Sequence, residues 1–286
     1  MCDAHMIGFS YLFNMQKTLF LDAGNSWLKA ASFDCGKWRS EGRVRWDDPL
    51  MKIRISDLCR PFERIVLLSV KRMMQISDLQ KLLIDGEVSG VEMLGIDRAS
   101  LPSDRIGYRT PETLGVDRYM ACLGAWSQSQ GLSLVQGHSH SQIQDQDPSQ
   151  SRSQNQHPVV VTDAGTACTI DIMDADGIFR GGVIMPGLHM VIASLGEGAD
   201  GLFRVAPDLP ASWPPDTTEA ALQAGTAGTF IAAWESHVQQ SLDQYPDAQI
   251  WLTGGDADFL VRHTKRSCRI HDFLVFDGMQ EWLKYR

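Results

Sequence analysis

Two stretches of the chain carry the same small set of side chains in the same order. Asp22-Ala23-Gly24-Asn25-Ser26 follows the apolar run Leu19-Phe20-Leu21, and Asp163-Ala164-Gly165-Thr166-Ala167 follows Val159-Val160-Val161. A carboxylate at the tip of a buried strand, followed by a glycine turn, can handle phosphate. The glycine lets backbone N–H groups approach the oxygens, and the carboxylate can face the accompanying cation. The first copy continues through Trp27-Leu28-Lys29 and so adds an ammonium group. In that reading Asp22 to Lys29 cradles the β- and γ-phosphates of ATP, with Lys29 and Mg²⁺ offsetting their charge. A ligand-free Asp-Gly hairpin turn has the same local sequence. The second copy argues against that alternative, and the duplication predicts two similar half-domains with a nucleotide between them.

Three further groups could act on a ligand. Gly115-Val116-Asp117-Arg118 opens a helical pattern. There the carboxylate could serve as general base and the guanidinium could anchor a substrate carboxylate. The same residues also suit an exposed charge pair in a first helical turn, where the dipole favours Asp. Gly181-Gly182-Val183-Ile184-Met185-Pro186-Gly187 is a strand entering a Gly/Pro turn, set either against a ligand or in a tight bend. Thr253-Gly254-Gly255 after a strand could pack against an adenine ring.

These groups need elements to position them. Short apolar runs predict strands at Leu19 to Asp22, Trp27 to Phe33, Ile65 to Val70, Val159 to Val161, Cys168 to Met173, Ile178 to Phe179 and Gly182 to Ile184, with Ile250 to Leu252 as a final strand. A helix is predicted at Ile76 to Ile84. Another runs from Leu114, with Val116, Tyr119, Met120, Leu123 and Trp126 at helical spacing and Thr110-Pro111-Glu112 as its opening. Asp216-Thr217-Thr218-Glu219 reads as an acidic N-cap for a long helix to about Leu242, with Gly225 and Gly228 marking close approach. Between Ser127 and His157, 17 of 31 residues are Ser or Gln. Such a stretch buries too little to offset its ordering entropy, so it reads as a disordered insertion, and its His138/His140 pair reads as solvent-facing rather than metal-binding.

The whole chain has 286 residues, 43% hydrophobic and 21% charged, with net charge -9. These are globular values, and the acidic balance disfavours a nucleic-acid partner. No apolar run approaches the ~18 residues of a membrane span, which predicts no membrane partner. The six cysteines lack metal-ligand spacing and suit a reducing, cytoplasmic setting. Residues 1–16 form an N-terminal extension without signal-peptide character, and Met15-Gln16-Lys17 reads as a more natural start.

Taken in order, the motifs resemble type III pantothenate kinase, of the acetate kinase/sugar kinase/heat-shock/actin superfamily. Asp22 to Lys29 matches D-x-G-N-[ST]-x-x-K, and Gly107-Tyr108 with Gly115 to Arg118 matches G-Y then G-x-D-R. Asp163 to Asp171 matches D-x-G-T-A-x-T-x-D, Gly181 to Gly187 matches G-G-x-I-x-P-G, and Thr218 precedes Gln223-Ala224-Gly225 as in the family. The match covers Lys17 to about Leu260 apart from the insertion.

The resemblance implies an α/β fold of two ribonuclease H-like (actin-like) subdomains, mixed sheets flanked by helices, with the nucleotide cleft between them. Their expected bounds are 17–126, including a connecting helix, and 158–286, separated by the insertion at 127–157. It implies ATP-dependent phosphorylation of pantothenate to 4′-phosphopantothenate, the first step towards coenzyme A. Asp117 is then the general base, and Asp22, Ala23, Gly24, Asn25, Ser26, Trp27, Leu28, Lys29 and Thr166 are ATP contacts. Tyr108, Gly115, Val116, Asp117, Arg118 and Thr218 form the pantothenate pocket, and Asp163 holds K⁺ or NH₄⁺. A homodimer is implied, with Thr218 serving the neighbouring subunit's site. The chain departs from the family in its insertion, its N-terminal extension and the acidic Glu197-Gly198-Ala199-Asp200. Two other readings stand beside this one: a related small-molecule kinase, and a non-catalytic regulatory protein that retains the fold.

Overall fold

The computed structural model describes residues 17–70, 74–136 and 157–285, and for 130–136 the backbone alone. The expectations for residues 1–16, for His138 and His140 and for the insertion beyond Gln136 lie outside these residues. The described chain divides between Ile96 and Asp97 into two compact units.

In the first unit, β1 (Thr18–Ala23), β2 (Trp27–Asp34), β3 (Lys37–Arg45), β4 (Arg64–Ser69) and β5 (Glu92–Ile96) form one sheet in the order β3-β2-β1-β4-β5. The β1–β2–β3 ladders are antiparallel, and the β1–β4–β5 ladders are parallel. Side chains alternate across a strand, so Leu19, Leu21 and Ala23 share one face with Leu28, Ala30 and Val44 across the ladders. Helices α1 (Met51–Cys59) and α2 (Ile76–Asp85) lay Ile55, Cys59, Leu79, Leu82 and Leu83 into the core formed with that face. The other face carries Asp22, Trp27, Lys29, Arg43 and Arg45.

The second unit repeats this plan. Strands β6 (Val159–Ala164), β7 (Ala167–Met173), β8 (Phe179–Pro186), β9 (Gln249–Thr253) and β10 (Arg269–Ile270) lie in the order β10-β9-β6-β7-β8. An antiparallel meander and two parallel neighbours again flank the first strand. On one face, Val160, Ala164, Cys168 and Ile170 pack with α4 (Leu188–Gly198), α6 (Thr229–Gln244) and α7 (Ala257–His263). Against β6 and β7 also lies α3 (Val116–Gln136), which in turn packs along α8 (Leu274–Leu283). These two helices cross nearly backbone to backbone. A Cβ on Gly124 would stand 2.0 Å from the Leu274 carbonyl oxygen, and one on Gly278 2.0 Å from that of Met120.

The expected α/β class of two mixed sheets flanked by helices is therefore present, with several corrections of detail. The helix of Asp117 belongs to the second unit, not the first, because α3 is buried between α8 and the β6–β7 strands. It also runs to Gln136, nine residues past the expected start of disorder at Ser127. Gln tolerates helix well, and the Ser127 and Ser129 hydroxyls donate to the Gly124 and Trp126 carbonyls instead of breaking the turn. Thr110-Pro111-Glu112 opens a separate 3-10 turn, Pro111–Thr113, and α3 starts at Val116.

The strands expected at Ile178 to Phe179 and Gly182 to Ile184 are one, β8 (Phe179–Pro186), in which Gly181 takes φ +102°. The cap of α5 (Thr218–Gln223) is Thr217, whose hydroxyl accepts from the Ala220 N–H at 3.1 Å, not Asp216. From α5 the backbone continues through a π-helical turn, Ala224–Gly228, directly into α6. Strand β9 is not the last, since α7, β10 and α8 follow it. No helix among the described residues is long and apolar enough to cross a membrane.

Candidate active site

In the first unit, Asp22 is buried at the end of β1, directly across the ladder from Lys29. Lys29 Nζ lies 3.9 Å from Asp22 Oδ2, with the lysine half-exposed. The turn between them is fixed internally. Gly24 N–H donates to the Trp27 carbonyl at 3.0 Å, and Trp46 Nε1 donates to the Gly24 carbonyl at 2.7 Å. A Cβ on Gly24 would meet only the Trp27 oxygen, at 3.5 Å, so packing within the unit does not itself demand glycine there. Ala23 and Leu28 point into the core and can offer a ligand only their backbone.

The second turn is one residue tighter. Ala164 pairs with Cys168, whereas Ala23 pairs with Leu28. Here glycines from elsewhere close around the turn. A Cβ on Gly187 would stand 2.2 Å from the Gly165 oxygen and 2.4 Å from that of Thr166, and the Gly187 N–H donates to the latter at 3.2 Å. Gly254, at φ +93°, lies so near Asp163 that a Cβ would come within 2.5 Å of Oδ1. Gly254 thus walls in Asp163 on one side. Beyond it, Asp256 N–H donates to the Ala164 carbonyl at 3.0 Å, and its carboxylate lies 3.3 Å from His189 Nε2.

The start of α3 stands on the same side of this sheet. Arg98 donates to the Leu114 and Glu112 carbonyls at 2.7 and 2.5 Å and so orders the approach to the helix. Asp117 Oδ1 accepts the Arg118 N–H at 2.9 Å, folding back over the first turn. Only glycine allows this at residue 115, where a Cβ would lie 2.6 Å from that oxygen. Burial pushes the Asp117 carboxyl above its ordinary range, and the negative charge of Asp163 adds to the shift. The Arg118 N–H and guanidinium oppose it.

Arg118 is buried and holds Asp171 of β7. Its Nε lies 3.1 and 3.0 Å from the two carboxylate oxygens, and Nη2 also bonds Oδ1. Burial works against the charge of Arg118, but the carboxylate of Asp171, together with the nearby Tyr108, leaves the arginine's pKa raised. Tyr108 in turn meets Phe179 edge-on at 6.1 Å, and the Arg118 guanidinium stands 5.8 Å from the centre of that ring. Gly182 makes room for the ion pair, since a Cβ there would lie 2.5 Å from Asp171 Oδ1 and 2.0 Å from the Ile170 oxygen. The Gly-rich strand therefore serves tight internal packing.

Tyr108, Gly115, Asp117, Arg118 and Asp163 are thus linked through one set of interactions. Val116 faces the core, Thr166 stands exposed on the second turn, and Thr218 is exposed on α5. Sequence reasoning missed the partner of Arg118. Asp171 was visible as the closing carboxylate of the second motif, but no local signal joins residues 53 apart in sequence.

Among the described residues, no three His, Cys, Asp or Glu side chains converge as a metal cage. Mg²⁺ arriving with a nucleotide needs only one or two carboxylates, and Asp22 fits that chemistry. A monovalent cation fits Asp163, whose field already bears unfavourably on the charge of Asp117.

A family model of type III pantothenate kinase matches residues 18–136 and 149–240. A type III pantothenate kinase from Laribacter hongkongensis is 32% identical over 270 residues, covering 91% of this chain and 96% of that protein. One from Alkalilimnicola ehrlichii is 29% identical over 286 residues, covering 93% and 98%. Among solved structures, a protein from Campylobacter jejuni described as a Baf family transcriptional activator superposes with TM-score 0.50 at 22% identity, over 93% of this chain and 97% of that one, a likeness of fold alone. The matched span and the identity to full-length relatives establish that the chain belongs to the type III pantothenate kinase family and is a kinase of coenzyme A biosynthesis.

Proposed function

We propose that the chain transfers the γ-phosphoryl group of ATP to the primary hydroxyl of pantothenate, with Asp117 as the general base. The observation that carries this reading is the Asp117 carboxylate, bent back over the start of α3 at Gly115 and raised in pKa by burial and by Asp163. Phosphoryl transfer passes through a loose transition state, so the base need not deprotonate the alcohol beforehand. It must be ionised, aligned and ready to take the proton late. The hydroxyl oxygen forms the new P–O bond, the bond to the ADP oxygen breaks, and the proton ends on Asp117.

The turn from Asp22 to Lys29 holds the phosphates in this reading, and Lys29 supplies fixed positive charge. Thr166 contacts the nucleotide. Tyr108 and Gly115 to Arg118 line the pantothenate pocket, where Arg118 acts with Asp171 as its fixed counter-ion. Thr218, exposed on α5, serves the site of the other subunit in a homodimer. Asp163 holds K⁺ or NH₄⁺, which when bound balances negative charge beside Asp117.

The test is pantothenate-dependent ADP release and 4′-phosphopantothenate formation with Mg²⁺, with and without K⁺ or NH₄⁺. The expected result is product under complete conditions and a large fall without the monovalent ion. An absence of product under complete conditions overturns the reading, and full activity without the ion removes Asp163 from its role.

A further inference from the structure

We propose that Arg43 is a second cation for the polyphosphate of ATP, standing beside Lys29 on the outer face of the first sheet. This rests on the reading that the turn from Asp22 to Lys29 handles phosphates. Across three adjacent strands, Asp22, Lys29 and Arg43 occupy one row, since Asp22 pairs with Lys29 and Lys29 pairs with Arg43. Residues two apart on a strand share a face, so Trp27 and Arg45, themselves cross-strand partners, belong to the same surface. The intervening Leu28, Ala30 and Val44 point the other way, into the core.

Two like charges directly opposite each other in a ladder destabilise it. Asp22 lies beside Lys29 at 3.9 Å, and Arg45 is held by a bidentate bond to Asp47 at 2.8 and 2.7 Å. Arg43 forms no ion pair with a carboxylate among the described residues. Its guanidinium instead lies 4.7 Å from the centre of the Trp27 ring. Stacking of this kind orients the planar fork and leaves its N–H edges for an anion. The row thus sets a pre-oriented guanidinium next to an ammonium, on an acidic protein, in line with the turn that takes phosphate. A polyphosphate spanning both cations would turn their repulsion into binding energy, and the gain should grow with each phosphate.

The experiment compares Arg43→Gln, Arg43→Lys and Lys29→Gln in steady-state kinetics and in binding of ATP, ADP and AMP, with thermal melts as a folding control. Arg43→Gln should raise KM for ATP about tenfold, leave kcat and KM for pantothenate within about twofold, and weaken ATP most, ADP less and AMP not at all, as expected for a phosphate contact. Arg43→Lys should fall between wild type and Arg43→Gln. An unchanged KM for ATP in Arg43→Gln, or equal weakening of AMP and ATP, overturns the inference. If Lys29→Gln is also without effect, the phosphate reading of the whole turn fails. If Lys29→Gln acts and Arg43→Gln does not, only the role of Arg43 fails.

Discussion

The two Asp-Ala-Gly turns occupy the same place in sheets of the same topology, yet their surroundings differ at equivalent positions. Opposite Asp22 stands Lys29; opposite Asp163 stands Thr169. Two residues further along, the first hairpin has the buried Ala31 and the second has Asp171, which holds Arg118. Thr162 takes the place of Leu21 and accepts the Trp234 N–H at 2.9 Å. The first turn thus carries its own cation. The second concentrates carboxylates and leaves the balancing charge to come from elsewhere. The two sheets share one strand order, and they differ in the single side chains that flank each turn.

The largest expected effect separates the two turns by chemistry. Asp117→Asn should lower kcat by about 10²–10⁴-fold with folding intact, as loss of a general base does. A near-wild-type rate would return the catalytic role to the first turn. Because the carboxyl is raised and works only when ionised, kcat/KM should fall on the acid side at a pH above that set by an ordinary aspartate near ~3.9. A pH profile locates that limb, and Asp117→Asn should abolish it.

Lys29→Thr writes the second turn's residue into the first. It should cost about 10²–10³-fold in kcat/KM for ATP, the usual loss for a fixed group that stabilises transferring charge. Its effect on stability should be small, ~0–1 kcal/mol, because the pair with Asp22 is partly exposed. Asp171→Ala in the second unit should instead destabilise by ~3–5 kcal/mol in denaturant unfolding, since it strands a buried guanidinium. Equal stability losses in the two variants would erase the distinction between the sheets. The reciprocal change, Thr169→Lys, places an ammonium opposite Asp163. It should bring rates with and without K⁺ or NH₄⁺ within about twofold of each other; an unchanged dependence would argue against a cation at Asp163.

Much of this was legible in sequence because the central strands are continuous apolar runs with a glycine turn at their tips. Strand β3 was not, since only Val44 of its nine residues is buried and the rest carry no hydrophobic alternation. Helix α8 was missed for the opposite reason. Leu274 to Met279 are buried without a break, and the narrow polar stripe of Asp277, Gln280 and Glu281, whose first member is itself buried, marks its period only weakly. The unit boundary followed from that omission, because α3 joins the second unit by crossing α8 at Gly124 and Gly278, glycines whose role no local pattern reveals. At the site, residue identities were readable from the motifs. The pairing of Arg118 with Asp171, the wall of Gly254 beside Asp163 and the row from Asp22 to Arg43 depend on strand register, which composition does not encode.

The π-helical turn at Ala224–Gly228 bears on where Thr218 points. Such a turn amounts to one residue inserted into an α-helix, and here the Thr226 hydroxyl steadies it by donating to the Leu222 carbonyl at 2.6 Å. Phe230 and Trp234 fix the downstream helix in the core. Everything upstream is therefore wound out of phase with them by one residue, about 100° around the axis. Deleting a single residue within 224–228 would restore regular winding and swing Thr218 through that angle while leaving its chemical identity untouched. The direction of this side chain is thus set a turn and a half away from it, by a count of residues.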